Sequence, residues 1–199
     1  MNPNRIHELF DARASMSPRQ PFLFLPDGVM SLKDLADMVD RLQAELLELG
    51  VSAGDRVLAV AENCPEHVAL ILACSRVGAW ACGVNARMSP GELAAFVQKA
   101  DPRVLYFTVA VSEAACGHAR TARASGGSVP GLWHSAPRTQ SEPQTGALAQ
   151  SVAAVIFTSG TSGQPKGVMV SHAGLLQFAR ASSASRSLTS QDRSYAYLP

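Results

Sequence analysis

The chain is 199 residues long and 47% hydrophobic, enough for one large domain or two small ones with a sizeable core. Its 17 basic and 16 acidic residues nearly cancel, which removes the electrostatic case for a nucleic-acid or membrane-surface partner. The longest unbroken apolar run in the interior, Val68–Cys74, is far too short to span a bilayer, so no transmembrane segment is expected.

The opening MNPNRIHELF has no basic-then-apolar signal pattern. Cys64, Cys74, Cys82 and Cys116 show neither CxxC spacing nor grouping with histidines, so reduced, mostly buried thiols in a soluble cytoplasmic protein are expected. Ile6, Leu9, Phe10 and Ala14 recur at helical spacing and predict a short first helix. Phe22–Leu25, the turn Pro26-Asp27-Gly28 and Val29–Met30 read as a β-hairpin. Ser31 and Asp34 then have the spacing of an N-cap with an early acidic residue. Leu32, Leu35, Val39, Leu42, Leu46 and Leu49 step by threes and fours until Gly50 stops the helix.

RVLAVA, residues 56–61, reads as a buried strand. Asn63 and Glu66 have capping-box spacing around Pro65, and the helix they open runs to about Arg76, apolar nearly all round, and ends at Gly78. A strand over 79–85 follows. Ser89, Pro90 and Glu92 open a helix with Leu93, Phe96, Val97 and Ala100 on one stripe, and 103–108 is another strand. Alternating strands and helices predict an α/β fold with a mainly parallel sheet flanked by helices. Residues 112–124 read as a small-residue helix and 128–133 as a weak strand. Residues 134–150 are polar and proline-bearing with no period, a loop or variable linker.

The chemistry is concentrated at the end. Val152–Phe157 is a continuous β-type apolar run that reads as a buried strand. Ten residues follow it, Thr158, Ser159, Gly160, Thr161, Ser162, Gly163, Gln164, Pro165, Lys166 and Gly167. Three glycines let backbone N–H groups converge, four hydroxyls donate, and Lys166 adds a cation: the makings of a polyphosphate cradle. A Walker A loop is excluded, because Pro165 takes its second glycine, Gly167 takes its hydroxyl, and a short strand over 168–170 follows where a helix is required. The plain alternative is a flexible Gly/Ser linker, which two flanking β-type runs and a Pro-Lys-Gly end argue against. Ser171 is placed to cap a helix starting near His172. At that helix start His172 reads as structural, with its charge disfavoured, and a catalytic base is the alternative. Trp80 and Trp133 read as packing residues, and the histidines are scattered without metal spacing.

TSGTSGQPKG followed by VMVSH resembles the phosphate-binding signature of the AMP-forming adenylate-forming superfamily, which holds acyl-CoA synthetases and the adenylation domains of peptide synthetases. Ser162 stands where that family more often has threonine. A looser similarity, GVSAGDRVLAVAENCPEHVALILACSRVGAW and the stretch from Asn85 to Leu93, covers most of residues 22–109. Gly83-Val84-Asn85 departs from it, since many members have a proline shortly before the asparagine. The resemblance implies a two-step reaction in which a small-molecule carboxylic acid attacks Mg2+-bound ATP and the acyl group then passes to coenzyme A. Thr158, Ser159, Gly160, Thr161, Ser162, Gly163, Lys166 and Gly167 would handle the phosphates. An adenylation domain loading a carrier protein and a truncated non-catalytic remnant are the alternatives. The resemblance also implies that residues 1–199 are the N-terminal part of the large domain, with the catalytic lysine and small C-terminal domain beyond Pro199. No catalytic or metal-binding residue is therefore assigned within the chain. A sheet without all its neighbours is expected to expose an edge and to favour self-association.

Overall fold

The computed structural model describes residues 3–159 and 165–195, Ser159 and Pro165 by backbone alone. It begins with α1 (Ile6–Met16) and an antiparallel hairpin of β1 (Pro21–Leu25) and β2 (Gly28–Ser31). Ser31 then caps α2 (Leu32–Glu48): its Oγ accepts from the Asp34 N–H at 3.2 Å, and the Asp34 carboxylate accepts from the Ser31 N–H at 2.9 Å. Leu32, Leu35, Val39, Leu42 and Leu46 are all buried, so the three-and-four spacing is the core stripe of this helix. Gly50 follows with φ +71°, a conformation that glycine adopts without a Cβ penalty.

The main body comprises β3 (Arg56–Ala61), α3 (Pro65–Val77), β4 (Trp80–Asn85), α4 (Pro90–Ala100), β5 (Val104–Phe107) and α5 (Glu113–Thr121). After it come β6 (Ser125–Gly126), β7 (Trp133–His134), α6 (Ala147–Ser151), β8 (Val152–Ser159), β9 (Pro165–Ser171) and α7 (His172–Ser185). The large sheet has the order β6-β7-β5-β3-β4-β8-β9. Its centre, β5-β3-β4-β8, is parallel, while β6, β7 and β9 are antiparallel additions at the edges. The sheet is therefore mixed, with the expected parallel core.

From β3 the chain steps one way to β4, and from β4 it returns past β3 to β5. Right-handed crossovers then require α3 and α4 on opposite faces. The two cores show this. Val57, Ala59 and Ala61 face α1, α2 and α3, with Leu70 and Ala73 of α3 buried against them. Leu58 and Val60 face Leu93 of α4 and Ala115 and Ala119 of α5. Each fully buried Leu or Val contributes about 1.5–3 kcal/mol.

Several expectations are corrected. Pro65 takes the first helical position of α3, so Cys64 is the N-cap and Asn63–Glu66 forms no capping box. Of the weak strand expected over 128–133 only Trp133 is in a strand, β7; residues 128–132 turn between β6 and β7. The linker is a loop only until α6 takes its last residues, and it is pinned to the body by Arg56 Nη1 donating to the Glu142 carbonyl at 2.6 Å. Glu45 of α2 is buried; its carboxylate accepts from Tyr106 Oη at 2.8 Å and from the Ser128 N–H. Leu9 of α1 is exposed.

The largest correction concerns β8. Val152, Ala153 and Val155 are buried as expected, but Ile156 is 54% exposed, and Val168 and Met169 on β9 are 51% and 53% exposed. Strand β9 is the edge of the sheet among the described residues. The apolar run makes the strand; the cover ends before the strand does.

Candidate phosphate-handling site at the carboxyl edge

Because the four central strands are parallel, their carboxyl ends meet along one edge, where loops leave toward opposite faces. Ligands in open α/β sheets bind in such crevices. A polar bracket fixes this edge. The Glu62 carboxylate, just past β3, accepts from Arg87 Nε at 3.3 Å and Nη2 at 3.0 Å and from Ser112 Oγ at 3.0 Å. Arg87, and after it Ser112, hold that carboxyl below the usual carboxylate range. The Glu62 N–H donates to Thr108 Oγ1 at 3.1 Å, and Asn85 Oδ1 accepts from the Arg87 N–H at 2.8 Å. Three strand ends are thereby tied together. The one sign of this bracket in the sequence is a cluster of polar residues directly after three strands.

The ten-residue segment leaves from β8 at the same edge. Its register is Phe157 opposite Gly167, Thr158 opposite Lys166 and Ser159 opposite Pro165. The strand expected over 168–170 therefore begins at Pro165, and Lys166 and Gly167 are strand residues. Strand pairing on both sides of residues 160–164 agrees with the exclusion of a Walker A loop. Gly160, Thr161, Ser162 and Gly163 lie outside the described residues, as does the side chain of Ser159.

Opposed residues on paired strands share a face, and alternate residues along a strand return to it. Thr158 and Lys166 thus share the α3 face with Ile156 and Val168. Thr158 Oγ1 donates to the Lys166 carbonyl at 3.5 Å. The exposed Lys166 ammonium makes no hydrogen bond or ion pair among the described residues. Gly167 points to the α4 face, where a Cβ would lie 2.9 Å from Val155 Cγ1 and 3.3 Å from the Phe157 ring. Its missing side chain lets Phe157 pack edge-on to Phe96, ring centroids 5.0 Å apart. Gly167 serves the packing beneath the site.

Below the hairpin lies a cavity of about 560 Å³ between α3, the sheet and α7. Among the described residues its lining includes the imidazole of His67 and no charged side chain. Burial pulls the His67 pKa down, so the ring is neutral near pH 7.

His172 is elsewhere. Ser171 caps α7, its Oγ accepting from the Gly174 N–H at 3.1 Å, and pairs with Val152 at the start of β8. That is the opposite end of β8, roughly 20 Å from the hairpin tip at the ordinary strand rise. His172 is buried, with Arg5 Nε 3.4 Å from Nε2 and the Ile6 N–H directed at Nδ1 over 3.4 Å. Burial first, and the charges of Arg5 and His7 after it, lower its pKa to about 4. It joins α1 to α7 and is structural.

Burial pushes the thiols of Cys64 and Cys82 up to about 12, which removes them as nucleophiles, and all four cysteines are unbridged. Among the described residues no group of three His, Cys, Asp or Glu side chains forms a metal site, and no helix is long and apolar enough to cross a membrane.

Comparison with known proteins agrees with this geometry. The model of the AMP-binding enzyme family matches residues 10–199. The fatty acid–[acyl-carrier-protein] ligase MmaC of Mycobacterium marinum is 32% identical over 181 residues, 85% of this chain and 34% of that protein. The NRPS-like tryptophan epimerase fscC of Fusarium equiseti is 28% identical over 176 residues, 86% of this chain and 12% of that protein. The indoleacetate–CoA ligase of Aromatoleum aromaticum is 27% identical over 206 residues, 98% of this chain and 40% of that protein. Among solved structures, VinN with 3-methylaspartate superposes with a TM-score of 0.73 at 21% identity, covering 94% of this chain and 53% of that one. IdnL1 gives 0.68 at 25% identity, covering 92% and 36%. The chain thus spans well under half the length of these three relatives. With a sheet of the same fold and a family match running from residue 10 to residue 199, the chain belongs to the family of AMP-binding enzymes.

Proposed function

We propose that the chain is the phosphate-handling part of an enzyme that activates a small carboxylic acid with ATP. A carboxylate oxygen attacks the α-phosphorus, the bond from that phosphorus to the bridging oxygen breaks, and pyrophosphate leaves an acyl-adenylate. The observation that carries this reading is the exposed Lys166 ammonium, beside Thr158 on one face of a hairpin at the carboxyl edge. A cation and a hydroxyl on one face fit a polyanion whose negative charge grows as pyrophosphate departs. Thr158, Ser159, Lys166 and the Gly160–Gly163 segment would hold the β- and γ-phosphates. Mg2+ would travel on the nucleotide and neutralise part of its charge. Gly167 contributes through packing.

For the second step, a thiol attacks the acyl carbon and AMP leaves. The acceptor we favour is a carrier-borne thiol, supported by likeness to the carrier-protein ligase MmaC and to fscC, a peptide-synthetase-like protein. Coenzyme A is the second reading, supported by the indoleacetate–CoA ligase. ATP–pyrophosphate exchange across a panel of carboxylic acids tests the first step. Acid-dependent exchange by the protein that carries this chain is expected, and exchange indifferent to every acid contradicts the reading. Acyl transfer to a phosphopantetheinylated carrier, against transfer to free coenzyme A, then decides the acceptor.

A further inference from the structure

The hairpin that carries Thr158 and Lys166 leans on the body of the protein from one side. Pairing between β4 and β8 stops at Gly83 and Ile156, although both strands run on, to Asn85 and Ser159. Beyond Ile156 the backbone of β8 pairs with β9 alone among the described residues. On the α3 face the hairpin stands over the cavity, and Ile156 and Val168 are half-exposed. Support therefore comes from the α4 face. There Phe157, next to Thr158 in the chain, meets the ring of Phe96 edge-on at an interplanar angle of 84°.

Phe96 sits on a helix that is pinned at both ends. At the amino end of α4, Ser89 Oγ accepts from the Glu92 N–H at 3.3 Å, and the Glu92 carboxylate accepts from the Ser89 N–H at 2.8 Å. Just before it, His118 Nε2 of α5 donates to the Met88 carbonyl at 3.0 Å, and Arg87 is held in the Glu62 bracket. At the carboxyl end, Arg56 Nε donates to the buried Ala100 carbonyl at 2.9 Å. Leu93 and Ala100 are buried with Leu58 and Val60 of β3. A ring on an element fixed in this way is a rigid stop for whatever packs on it. Centroids 5.0 Å apart and edge-on lie within the preferred geometry of aromatic pairs, so Phe157 has a defined seat.

The absent side chain of Gly167, opposite Phe157, leaves that ring room to reach Phe96. One residue on, the strand turns Thr158 to the other face, beside Lys166. A shift of the Phe157 ring thus moves the hydroxyl and, through the paired strand, the root of Lys166. Resting on the phosphate-site reading above, we propose that Phe96 is a positioning residue for the phosphate-handling step. Acting through Phe157, it sets where Thr158 and Lys166 stand relative to the sheet. Phe96 lies on the face away from these two side chains and meets no phosphate itself.

Phe96 and Phe157 also line the cavity, so the test is read with no acid present. Binding of inorganic pyrophosphate with Mg2+ is measured on the full-length protein and its variants, beside their unfolding midpoints. F96L, which keeps bulk and removes the ring, should weaken binding roughly three- to tenfold, the worth of one hydrogen bond. F96Y, which keeps the ring, should bind as the parent does, and F96M replaces F96L should that variant not fold. In a T158V/K166A background, F96L should change binding less than about twofold, because the groups it positions are gone. A ring that only stabilised the fold would act equally in both backgrounds. Equal loss in the two backgrounds, full binding by F96L, or a parent protein that binds no pyrophosphate overturns the proposal. ATP–pyrophosphate exchange with the acid panel, on the same samples, reports on the acid-activation reading by itself. Exchange indifferent to every acid removes that reading, while pyrophosphate binding still decides the role of Phe96.

Discussion

Strands β3 and β8 start from nearly the same material and end differently. RVLAVA is buried along its whole length, held between α3 and α2 on one face and α4 and α5 on the other. VAAVIFTS is buried only in its first half, and its carboxyl half rises out of the core beside an exposed β9. Both are parallel strands bonded to β4. What differs is the surroundings, not the strand. An apolar β-type run therefore dictates extended backbone but not burial, and the place where burial gives out is where the candidate site begins.

This contrast yields predictions of graded size. The largest belongs to the buried strand. Arg56 donates from Nε to the Ala100 carbonyl at 2.9 Å, from Nη2 to the Asp101 carbonyl at 2.7 Å and from Nη1 to that of Glu142 at 2.6 Å, besides pairing with the Asp101 carboxylate at 3.0 Å. R56A takes the donor from the buried Ala100 carbonyl and from the part-buried Asp101 and Glu142 acceptors, and should cost about 3–5 kcal/mol in urea unfolding. A loss under 1 kcal/mol would mean the carbonyls find water. In the hairpin, G167A forces a Cβ toward Val155 and Phe157, and about 1–3 kcal/mol of destabilisation is expected from overpacking.

A smaller effect arises from pH. His172 has a pKa of about 4 in the folded chain against an ordinary value near 6.5, so the unfolded chain binds the extra proton between those values. Stability is full above about pH 6.5 and is lost as pH falls toward 4, by up to about 1.4 kcal/mol per pH unit. His7, also lowered by burial, adds in the same direction. Thermal unfolding across this window should flatten in H172F. V168S, on the exposed face of β9, should change stability by no more than about 0.5 kcal/mol. A large loss there would show that the face is covered.

The parts of the fold written locally were legible in the sequence. In α2 the Ser31–Asp34 cap, the stripe from Leu32 to Leu46 and the stop at Gly50 are all short-range features. The strand β3, the helix α4 with its Ser89–Glu92 cap and the Ser171 cap of α7 are of the same kind. Features that depend on distant partners were not legible. Glu45 is buried because Tyr106 and Ser128 reach it from far along the chain. Asn63 and Glu66 have the right spacing for a cap, yet Pro65 shifts the helix start by one residue. At the site, Thr158, Lys166 and Gly167 were singled out by their chemistry. Pairing placed the first two on one face and turned Gly167 to the other. The cavity and its His67 had no sequence signal, since an isolated histidine in an apolar helix looks like any packed one.

The most direct measurement is ATP–pyrophosphate exchange by K166A in the full-length protein, read beside its unfolding midpoint. Lys166 is exposed and supports no packing, so its only assigned role is to meet phosphate charge. Exchange at subsaturating ATP should fall by about one to two powers of ten, the loss of one charge-assisted contact, with the midpoint unchanged. Unaltered exchange would contradict the assignment of this hairpin as the phosphate site.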